Sequence, residues 1–317
     1  MLARIFAFAL AAAAAGPALS ASIADRDVSL GDGPSALKGS LKLAAKPGPA
    51  VLIIAGSGPT DRDGNSTAPG VKPANLRLIA EALADKGYAS LRTDKRGIAR
   101  SAGAMRAESD LRFTDYVDDT AAWAKFLKGQ PGVTCVVILG HSEGALIAAM
   151  AAQKTPVCGV IEVSGIGRAF GVVLREQIAA SGAAPQAIRE VDAVLVKLEH
   201  GQTVPDIPAT SALFRPSVQP YLISQLNIDP PAELKAVKAP VLILQGDHDI
   251  QVSVDDARRL AAARPDARLV ILPGVNHVLK SAPADRAGNV ATYADPNLPL
   301  GPGVAEAILD FVGKVKP

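Results

Sequence analysis

The stretch Val136-Val-Ile-Leu-Gly-His-Ser-Glu-Gly144 is an apolar run that ends in a Gly-x-Ser-x-Gly turn and leads into the Ala-rich helical segment Ala145–Ala152. This order of strand, turn and helix is typical of the turn that carries a nucleophilic serine. Gly140 and Gly144 must lack side chains, because the strand and helix backbones approach each other closely there. We therefore predict a strained Ser142 at the edge of a sheet, facing the N–H groups of a helix N-terminus.

Composition sets the class of protein. The chain has 317 residues, of which 49% are hydrophobic and 20% charged, which suits one large domain or a domain with an insertion. Lys and Arg number 33 against 31 Asp and Glu, and aromatic residues make up only 4%. Because no basic run stands out, we expect no nucleic-acid partner.

The first twenty residues have the features of a secretory signal peptide. They combine a positive start, a short apolar core, a break and small residues at the cleavage point: Arg4, Ile5 to Ala15, Gly16-Pro17 and Ala18-Leu19-Ser20. We predict cleavage near Ser20 or Ala21. A membrane anchor is the alternative, but the apolar stretch is shorter than about 18 residues. The expected product is secreted or periplasmic, with no stable membrane anchor after cleavage.

Two cysteines precede neighbouring predicted strands. Cys135 opens the strand before Ser142, and Cys158 opens the next one. If these strands are parallel neighbours, a disulfide is possible, and closing a loop of about 24 residues would contribute on the order of 3 kcal/mol. The alternative is two buried thiols on strands too far apart to be bridged. Their position opposite the catalytic edge argues against a catalytic role.

Strands and helices alternate along most of the chain. Besides the strand before Ser142, strands are predicted at Ala36–Ala45 (an antiparallel edge), Val51–Ala55, Tyr88–Thr93, Gly159–Ser164, Val241–Gln245 and Arg268–Leu272. Helices are predicted at Leu76–Lys86, Phe113–Leu127, Ala145–Ala152, Val254–Ala263 and Val304–Val315. This alternation predicts an α/β fold with a mainly parallel, doubly wound sheet covered on both faces.

A helical insertion interrupts the alternation. Between about residues 168 and 233 the pattern predicts no strand, only helical stretches near Gly171–Ala180, Gln186–Leu198 and Val218–Leu226, punctuated by prolines. We predict a helical cap inserted between two core strands of a single domain that spans residues 21–317.

A serine nucleophile needs a histidine base, and the chain has four histidines. His141 adjoins the serine and is predicted to pack in the core. His200 ends a predicted helix, and His248 could form only a strained local pair with Asp249. His277 follows the last strand, at the sheet edge where ligands bind in open α/β sheets. His277 is therefore the predicted base.

The acid that orients the base is expected in Gly246-Asp-His-Asp-Ile-Gln-Val252, at the same edge. Asp249 is preferred, because the residues directly after the strand must complete the turn before a side chain can reach back. Asp247 is the alternative acid, or it simply satisfies loop N–H groups. The order Ser142, Asp249, His277 is that of α/β-hydrolases.

The negative oxygen of a tetrahedral intermediate needs N–H donors. One is the amide of Glu143, directly after the serine. The other is expected in the loop after Val51–Ala55, where Ser57, or Gly58 as the alternative, lets the backbone approach the substrate.

Several motifs together resemble the capped bacterial carboxylesterases of the α/β-hydrolase superfamily. They are Gly56-Ser-Gly-Pro-Thr-Asp-Arg-Asp-Gly-Asn65, Asp94-Lys-Arg-Gly97 with Ser101, Gly140-His-Ser-Glu-Gly144, Gly246-Asp-His-Asp249 and Asn276-His277. The resemblance implies hydrolysis of a small-molecule ester through an acyl-enzyme, without a metal or cofactor. It assigns Ser142 as nucleophile, Asp249 as acid and His277 as base, with Ser57 and Glu143 in the oxyanion hole. Ala55 departs from the histidine often found before the oxyanion glycine.

Two charged features are open at this point. Asp61-Arg62-Asp63 either pins the oxyanion loop by a local ion pair or contacts substrate. The Glu143 carboxylate either faces the cleft, where it would disfavour anionic acyl groups, or points to solvent.

The leading hypothesis is a carboxylesterase for small or medium acyl chains. A peptidase for short peptides, with Glu143 as a candidate site for the peptide's amino group, and a thioesterase are the alternatives. A dehalogenase would have Asp where Ser142 stands. A non-catalytic binding protein on a hydrolase scaffold is the rival from another class. The sequence does not indicate the oligomeric state.

Overall fold

One eight-stranded sheet lies at the centre of the computed structural model, which describes residues 25–67, 70–207 and 212–316. The predicted signal peptide, residues 1–20, lies outside these ranges. The strands are β1 (Arg26–Leu30), β2 (Leu37–Lys42), β3 (Gly48–Ile54), β4 (Ala89–Thr93), β5 (Val133–His141), β6 (Gly159–Val163), β7 (Val241–Gly246) and β8 (Arg268–Leu272).

The strand order is β1-β2-β4-β3-β5-β6-β7-β8. β2 pairs antiparallel with β1 and β4, and every other pairing is parallel. In the centre, Ile53 is in register with Leu139, and Leu139 with Ile161. Because helices cover both faces, the central strands are apolar at nearly every position. The predicted α/β fold with a mainly parallel, doubly wound sheet is confirmed.

Ten α-helices are formed by the described ranges. They are α1 (Asn75–Asp85), α2 (Phe113–Lys128), α3 (Glu143–Lys154), α4 (Phe170–Ala180), α5 (Pro185–Glu199), α6 (Gln219–Leu226), α7 (Pro230–Ala236), α8 (Val254–Ala263), α9 (Arg286–Ala291) and α10 (Val304–Val312). α1 and α10 pack on one face of the sheet, and α2, α3 and α8 pack on the other. None of these helices combines the length and the apolar character needed to cross a membrane.

Side-chain periodicity explains the two layers. Along β3, Val51 and Ile53 point to the α1 and α10 layer, while Leu52 and Ile54 point to the opposite layer. In α1, Leu76, Ile79 and Leu83 share one helical face and are buried. Full burial of such a side chain contributes about 1.5–3 kcal/mol, so the two layers supply most of the driving force for folding.

The residues expected to form a cap lie in α4 to α7, between β6 and β7. In α6, Tyr221 contacts two aromatic residues of α2, with ring centroids 6.3 Å from Phe113 and 5.7 Å from Tyr116. The helices of this segment therefore pack on the core close to the carboxyl end of the sheet.

Three elements were not predicted from the sequence. β1 is the true edge strand, so β2, the predicted edge, is second in the sheet. β1 is largely exposed and pairs on one side only, so its sequence carries little apolar alternation. α7 begins with two prolines and α9 has only six residues, so neither shows a helical repeat.

Cys135 and Cys158 are joined by a disulfide, with their Cα atoms 5.9 Å apart. Cys135 lies near the amino end of β5, and Cys158 directly precedes β6. Because β5 and β6 are parallel neighbours, these two amino ends are adjacent. The structure therefore contains the bridge rather than the two separate thiols, at the end of the sheet opposite Ser142.

Candidate active site

Ser142 occupies the turn between β5 and α3. Its backbone has φ 56° and ψ −122°, the strained conformation that the sequence predicts for a nucleophile elbow. The Ser142 N–H donates to the Val163 carbonyl at 2.8 Å, and the Ser142 carbonyl accepts from the Ala145 N–H at 2.9 Å. These bonds hold the turn from both sides, while the side chain is half-buried.

The two glycines of the turn are required by backbone contacts. A Cβ atom at Gly144 would lie 2.6 Å from the Ile54 carbonyl oxygen, and one at Gly140 would overlap the Gly144 carbonyl. Real Cβ atoms do not come this close to backbone. Glycine at position 144 therefore lets the first turn of α3 pack against the end of β3, and glycine at position 140 lets it pack against the end of β5.

His277 and Asp249 form a buried pair beside this turn. His277 Nδ1 lies 2.8 Å from Asp249 Oδ2. The same oxygen accepts from Gln245 Nε2 at 3.0 Å, and Oδ1 accepts from the backbone N–H groups of Gln251 and Val252 at 2.8 and 2.9 Å. Burial alone would raise the pKa of Asp249, but the His277 ring and these hydrogen bonds lower it on balance. The ionised carboxylate thus keeps the proton of His277 on Nδ1 and leaves Nε2 free to accept one.

Asp247, the alternative acid, has a different role. Its side chain is exposed, and its Oδ1 accepts from the Gly274 N–H at 2.7 Å. His248 does not pair with Asp249, because its Nδ1 donates to the Ala282 carbonyl at 2.7 Å. His200 caps α5 through the Val196 carbonyl, also at 2.7 Å. Of the four histidines, His277 is therefore the one that the structure brings to Asp249.

His141 is buried, as predicted, but it also supports the His277 loop. Its Nε2 donates to the His277 carbonyl at 2.7 Å, and the two ring centroids are 4.9 Å apart. Burial, together with the nearby His277, lowers the pKa of His141 to about 4. His141 is therefore neutral at pH 7. Because it directly precedes Ser142, its hydrogen bond holds the backbone of His277, the predicted base, close to the serine turn.

An amide network that the sequence did not reveal braces the same loop. Asn276 is fully buried, and its Nδ2 donates to Asn289 Oδ1 at 3.1 Å and to Thr292 Oγ1 at 2.7 Å. Asn289 in turn donates to the His248 carbonyl at 2.8 Å. The network thereby links the loops that carry the predicted acid and the predicted base. The only signal in the sequence was the position of Asn276, next to His277.

The predicted oxyanion loop lies against the nucleophile. A Cβ atom at Gly56 would lie 3.0 Å from the Cβ of Ser142, so Gly56 is in close contact with the elbow. Ser57 is exposed, and its carbonyl accepts from Thr60 Oγ1 at 2.8 Å. Within the described ranges, its N–H donates to no other group. The Glu143 amide is the first of α3, where helix N–H groups have no intrahelical partner.

The Asp61-Arg62-Asp63 segment does not form the local ion pair expected from the sequence. Arg62 does not pair locally: its backbone N and its Nη2 donate to Asp94 at 2.8 and 2.6 Å. Asp63 forms an ion pair with Arg92 of β4. Because these partners follow or belong to β4, the segment pins the predicted oxyanion loop to the sheet.

The Glu143 side chain corrects a second expectation. It does not point to solvent, because the residue is only 7% exposed. Its Oε1 lies 3.5 Å from Lys95 Nζ, and its Oε2 accepts from Gln225 Nε2 at 3.3 Å. The Glu143 carboxylate is therefore paired with Lys95 inside the protein.

The Ser142 hydroxyl forms no hydrogen bond with another residue that the structure describes. Bonds between nucleophile and base are often long without substrate and tighten when substrate binds. Among the residues that the structure describes, no group of three or more His, Cys, Asp or Glu side chains is arranged to hold a metal ion.

Comparison with solved structures shows which known proteins share this fold. Est1E from Butyrivibrio proteoclasticus, in a structure with bound ferulic acid, superposes with a TM-score of 0.57 at 20% identity, over 88% of this chain and 96% of Est1E. The esterase Pf2001 of Pyrococcus furiosus superposes with a TM-score of 0.52 at 17% identity, over 80% and 85% of the two chains. At these identities the likeness shows a shared fold.

Sequence comparison gives the family. Esterase EstD of Thermotoga maritima is 26% identical over 243 residues, which cover 74% of this chain and 55% of EstD. The chain therefore spans about half the length of this curated relative. The sequence profile described as the alpha/beta hydrolase family matches residues 51–292, more than half of the chain. The chain belongs to the alpha/beta hydrolase family.

Proposed function

We propose that this protein is a serine carboxylesterase that cleaves esters of small or medium acyl chains through an acyl-enzyme. Ser142 is the nucleophile, His277 the base and Asp249 the acid that orients it. The observation that carries the proposal is the buried bond of 2.8 Å between His277 Nδ1 and Asp249 Oδ2, beside a strained serine elbow. These are the parts that activate a serine for acyl transfer.

In each half of the reaction one proton moves twice, first to His277 and then away from it. Ser142 Oγ attacks the ester carbonyl carbon while His277 Nε2 takes the hydroxyl proton, and the Ser57 and Glu143 amides hold the negative oxygen. When the intermediate collapses, the carbon–oxygen bond to the alcohol breaks and His277 returns the proton to that oxygen. Water then attacks the acyl-enzyme by the same route, which releases the acid and restores the Ser142 hydroxyl.

An esterase is favoured over a peptidase by the position of Glu143. A peptidase for short peptides needs an anionic anchor for the amino group, and Glu143 was the candidate. Its carboxylate is buried 3.5 Å from Lys95 Nζ, which leaves it unavailable to a substrate amine. The names of EstD, Est1E and Pf2001, all esterases, support the same choice.

We also propose that the helices between β6 and β7 act as a cap over the site. Gln177 of α4 donates to the Gln251 carbonyl at 2.9 Å, in the loop that carries Asp249. Gln225 of α6 donates to Glu143 at 3.3 Å. These contacts tie α4 to the loop that carries Asp249 and α6 to the start of α3, next to Ser142. We therefore expect these helices to line the acyl pocket.

Export is proposed on independent grounds. The first twenty residues have the composition of a cleavable signal peptide. The disulfide between Cys135 and Cys158 is the kind of bond that persists in an oxidising compartment. Mass analysis of the protein secreted by its host would locate the mature N-terminus near Ser20 or Ala21.

A substrate panel tests the proposed activity. The purified chain is assayed on p-nitrophenyl esters from acetate to decanoate, on aminoacyl p-nitroanilides and on acyl-CoA thioesters. We expect turnover of the shorter esters, abolished in Ser142→Ala and retained in the control Ser181→Ala, whose side chain is exposed on the proposed cap. Faster cleavage of the anilides would indicate a peptidase, and faster cleavage of the thioesters would indicate a thioesterase. Turnover that survives in Ser142→Ala would contradict the mechanism.

A further inference from the structure

A lysine lies buried beneath the oxyanion loop. Lys95 follows β4 and is only 8% exposed. Its Nζ donates a short hydrogen bond to the Gly56 carbonyl, lies 3.5 Å from Glu143 Oε1, and is 5.3 Å from the ring centroid of Tyr116. The proposed reaction steps do not use this ammonium group, although burying a charge is costly unless it is paired.

The bond to Gly56 acts on the peptide group of the oxyanion donor. The Gly56 carbonyl and the Ser57 N–H belong to one planar peptide, with the oxygen and the hydrogen on opposite sides. Holding the oxygen at Lys95 therefore fixes the direction in which the Ser57 N–H points. A cation at the carbonyl oxygen also polarises the peptide, which makes its N–H a stronger donor.

The partner of Lys95 carries the other donor. The Glu143 backbone supplies the second N–H of the proposed oxyanion hole, and its carboxylate is the counter-charge of Lys95. The remaining polar groups near the carboxylate come from α6 and α2: Gln225, which donates to it at 3.3 Å, and the hydroxyls of Tyr221 and Tyr116. Lys95 thus contacts both segments that supply the donors, the oxyanion loop through the Gly56 carbonyl and the start of α3 through the Glu143 carboxylate.

We infer that Lys95 is a positioning residue for catalysis, which orients the Gly56–Ser57 peptide so that its N–H meets the transition-state oxygen, with Glu143 keeping Lys95 charged. The inference rests on the proposed serine hydrolase function. Lys95 acts through the loop and does not touch the reacting atoms.

The decisive variant removes both charges together. Lys95→Met alone would leave a buried, unpaired carboxylate and could unfold the protein, whereas the double variant Lys95→Met with Glu143→Gln leaves no uncompensated charge and keeps the Glu143 amide. We expect its thermal midpoint to stay near wild type. We expect its kcat on p-nitrophenyl butyrate to fall about 10- to 100-fold, which is a smaller loss than the removal of one oxyanion-hole donor causes. Its KM should stay within about threefold of wild type. Lys154→Met, whose exposed side chain pairs with Asp118, is the control and should keep wild-type kcat.

Inhibitor binding separates positioning from packing. An alkyl trifluoromethyl ketone adds to the serine and places an oxyanion in the hole, so its Ki should rise by the same factor as kcat/KM falls in the double variant. The matching alkyl methyl amide, which is not attacked, should bind within about threefold of wild type. A purely structural defect would weaken both compounds alike and would lower the thermal midpoint.

The single variant Glu143→Gln gives an independent pH test. Burial lowers the pKa of Lys95, and the charge of Glu143 raises it. The other titratable groups that surround the pair are Tyr116, Tyr221, Arg96 and Asp119. Without the carboxylate the pKa of Lys95 falls, so the loss of activity on the alkaline side of the pH profile should begin at a lower pH in Glu143→Gln than in wild type. This test also decides the inference if the double variant does not fold.

The outcomes are distinct. A folded double variant with wild-type kcat and wild-type inhibition by the ketone overturns the role of Lys95 and leaves the esterase proposal standing. An unchanged pH profile in Glu143→Gln overturns the role of Glu143 in keeping Lys95 charged. A wild-type chain that hydrolyses no ester overturns the proposed function and this inference with it.

Discussion

Replacing Asp249 by Asn changes the hydrogen-bond pattern around one side chain and leaves its shape intact. Asp249 Oδ1 accepts two backbone N–H groups, from Gln251 and Val252, so an Asn oxygen must occupy that position. The Asn NH₂ group then faces Gln245 Nε2 and His277 Nδ1, both donors to the native carboxylate. To avoid two opposed donors, His277 must move its proton to Nε2, where it can no longer accept the proton of Ser142.

The magnitude follows from losing the reactive tautomer. In serine hydrolases of known mechanism the equivalent change lowers kcat about 10⁴-fold, which corresponds to about 5.5 kcal/mol at 1.36 kcal/mol for each factor of ten. We expect a loss of about 10³- to 10⁴-fold in kcat on p-nitrophenyl butyrate at pH 7, with little change in KM because Asp249 does not contact substrate.

Asp247→Asn is the matched control. An Asn oxygen can still accept from the Gly274 N–H, which is 2.7 Å from Asp247 Oδ1, so kcat should stay within about threefold of wild type. Circular dichroism and thermal melting check that both variants fold. Similar losses in the two variants, or a larger loss in Asp247→Asn, would refute the assignment of the acid.

Three further predictions concern stability and geometry. Burial raises the pKa of Glu162 to about 8 from its usual 4.5, so the folded state holds a proton that the unfolded state releases, and stability falls as pH rises through that window. Glu162→Gln should therefore raise the thermal midpoint relative to wild type at pH 9 and lose that advantage near pH 5; a gap independent of pH would refute the buried proton. Gly144→Ala should abolish turnover and lower the midpoint by several degrees, because its Cβ would lie 2.6 Å from the Ile54 carbonyl; a stable, active variant would contradict the packing of the elbow. Reducing the bond between Cys135 and Cys158 should cost about 3 kcal/mol of unfolding free energy, measured in urea, while kcat per folded molecule is unchanged because the bond lies at the opposite end of the sheet.

The sequence predicted well those features that rest on local patterns. The apolar run before Ser142, the glycines around it and the position of His277 after the last strand are each legible within a few residues. The alternation of strands and helices predicted the mainly parallel sheet with helices on both faces, because parallel strands need long crossover connections. The strand and helix bounds differ from the prediction mainly at their ends, where caps and fraying decide them.

Features that depend on residues far apart in the chain were missed. Lys95 lies in the loop after β4 and Glu143 at the start of α3, and nothing local signals that they form a buried pair. The pairing of Arg62 with Asp94 was missed for the same reason, because acidic neighbours on both sides of Arg62 suggested a local pair instead. The support that His141 gives to the His277 carbonyl depends on how two loops meet, which only the folded chain shows.

The central claim is that Ser142 is a nucleophile activated by His277. It is tested most directly by incubating the purified chain with a fluorophosphonate and mapping the adduct by peptide mass spectrometry. The account predicts one phosphonylated residue, Ser142, formed at a rate that falls by orders of magnitude in His277→Ala while the variant stays folded. An unlabelled Ser142, or labelling at the same rate without the imidazole, would contradict it.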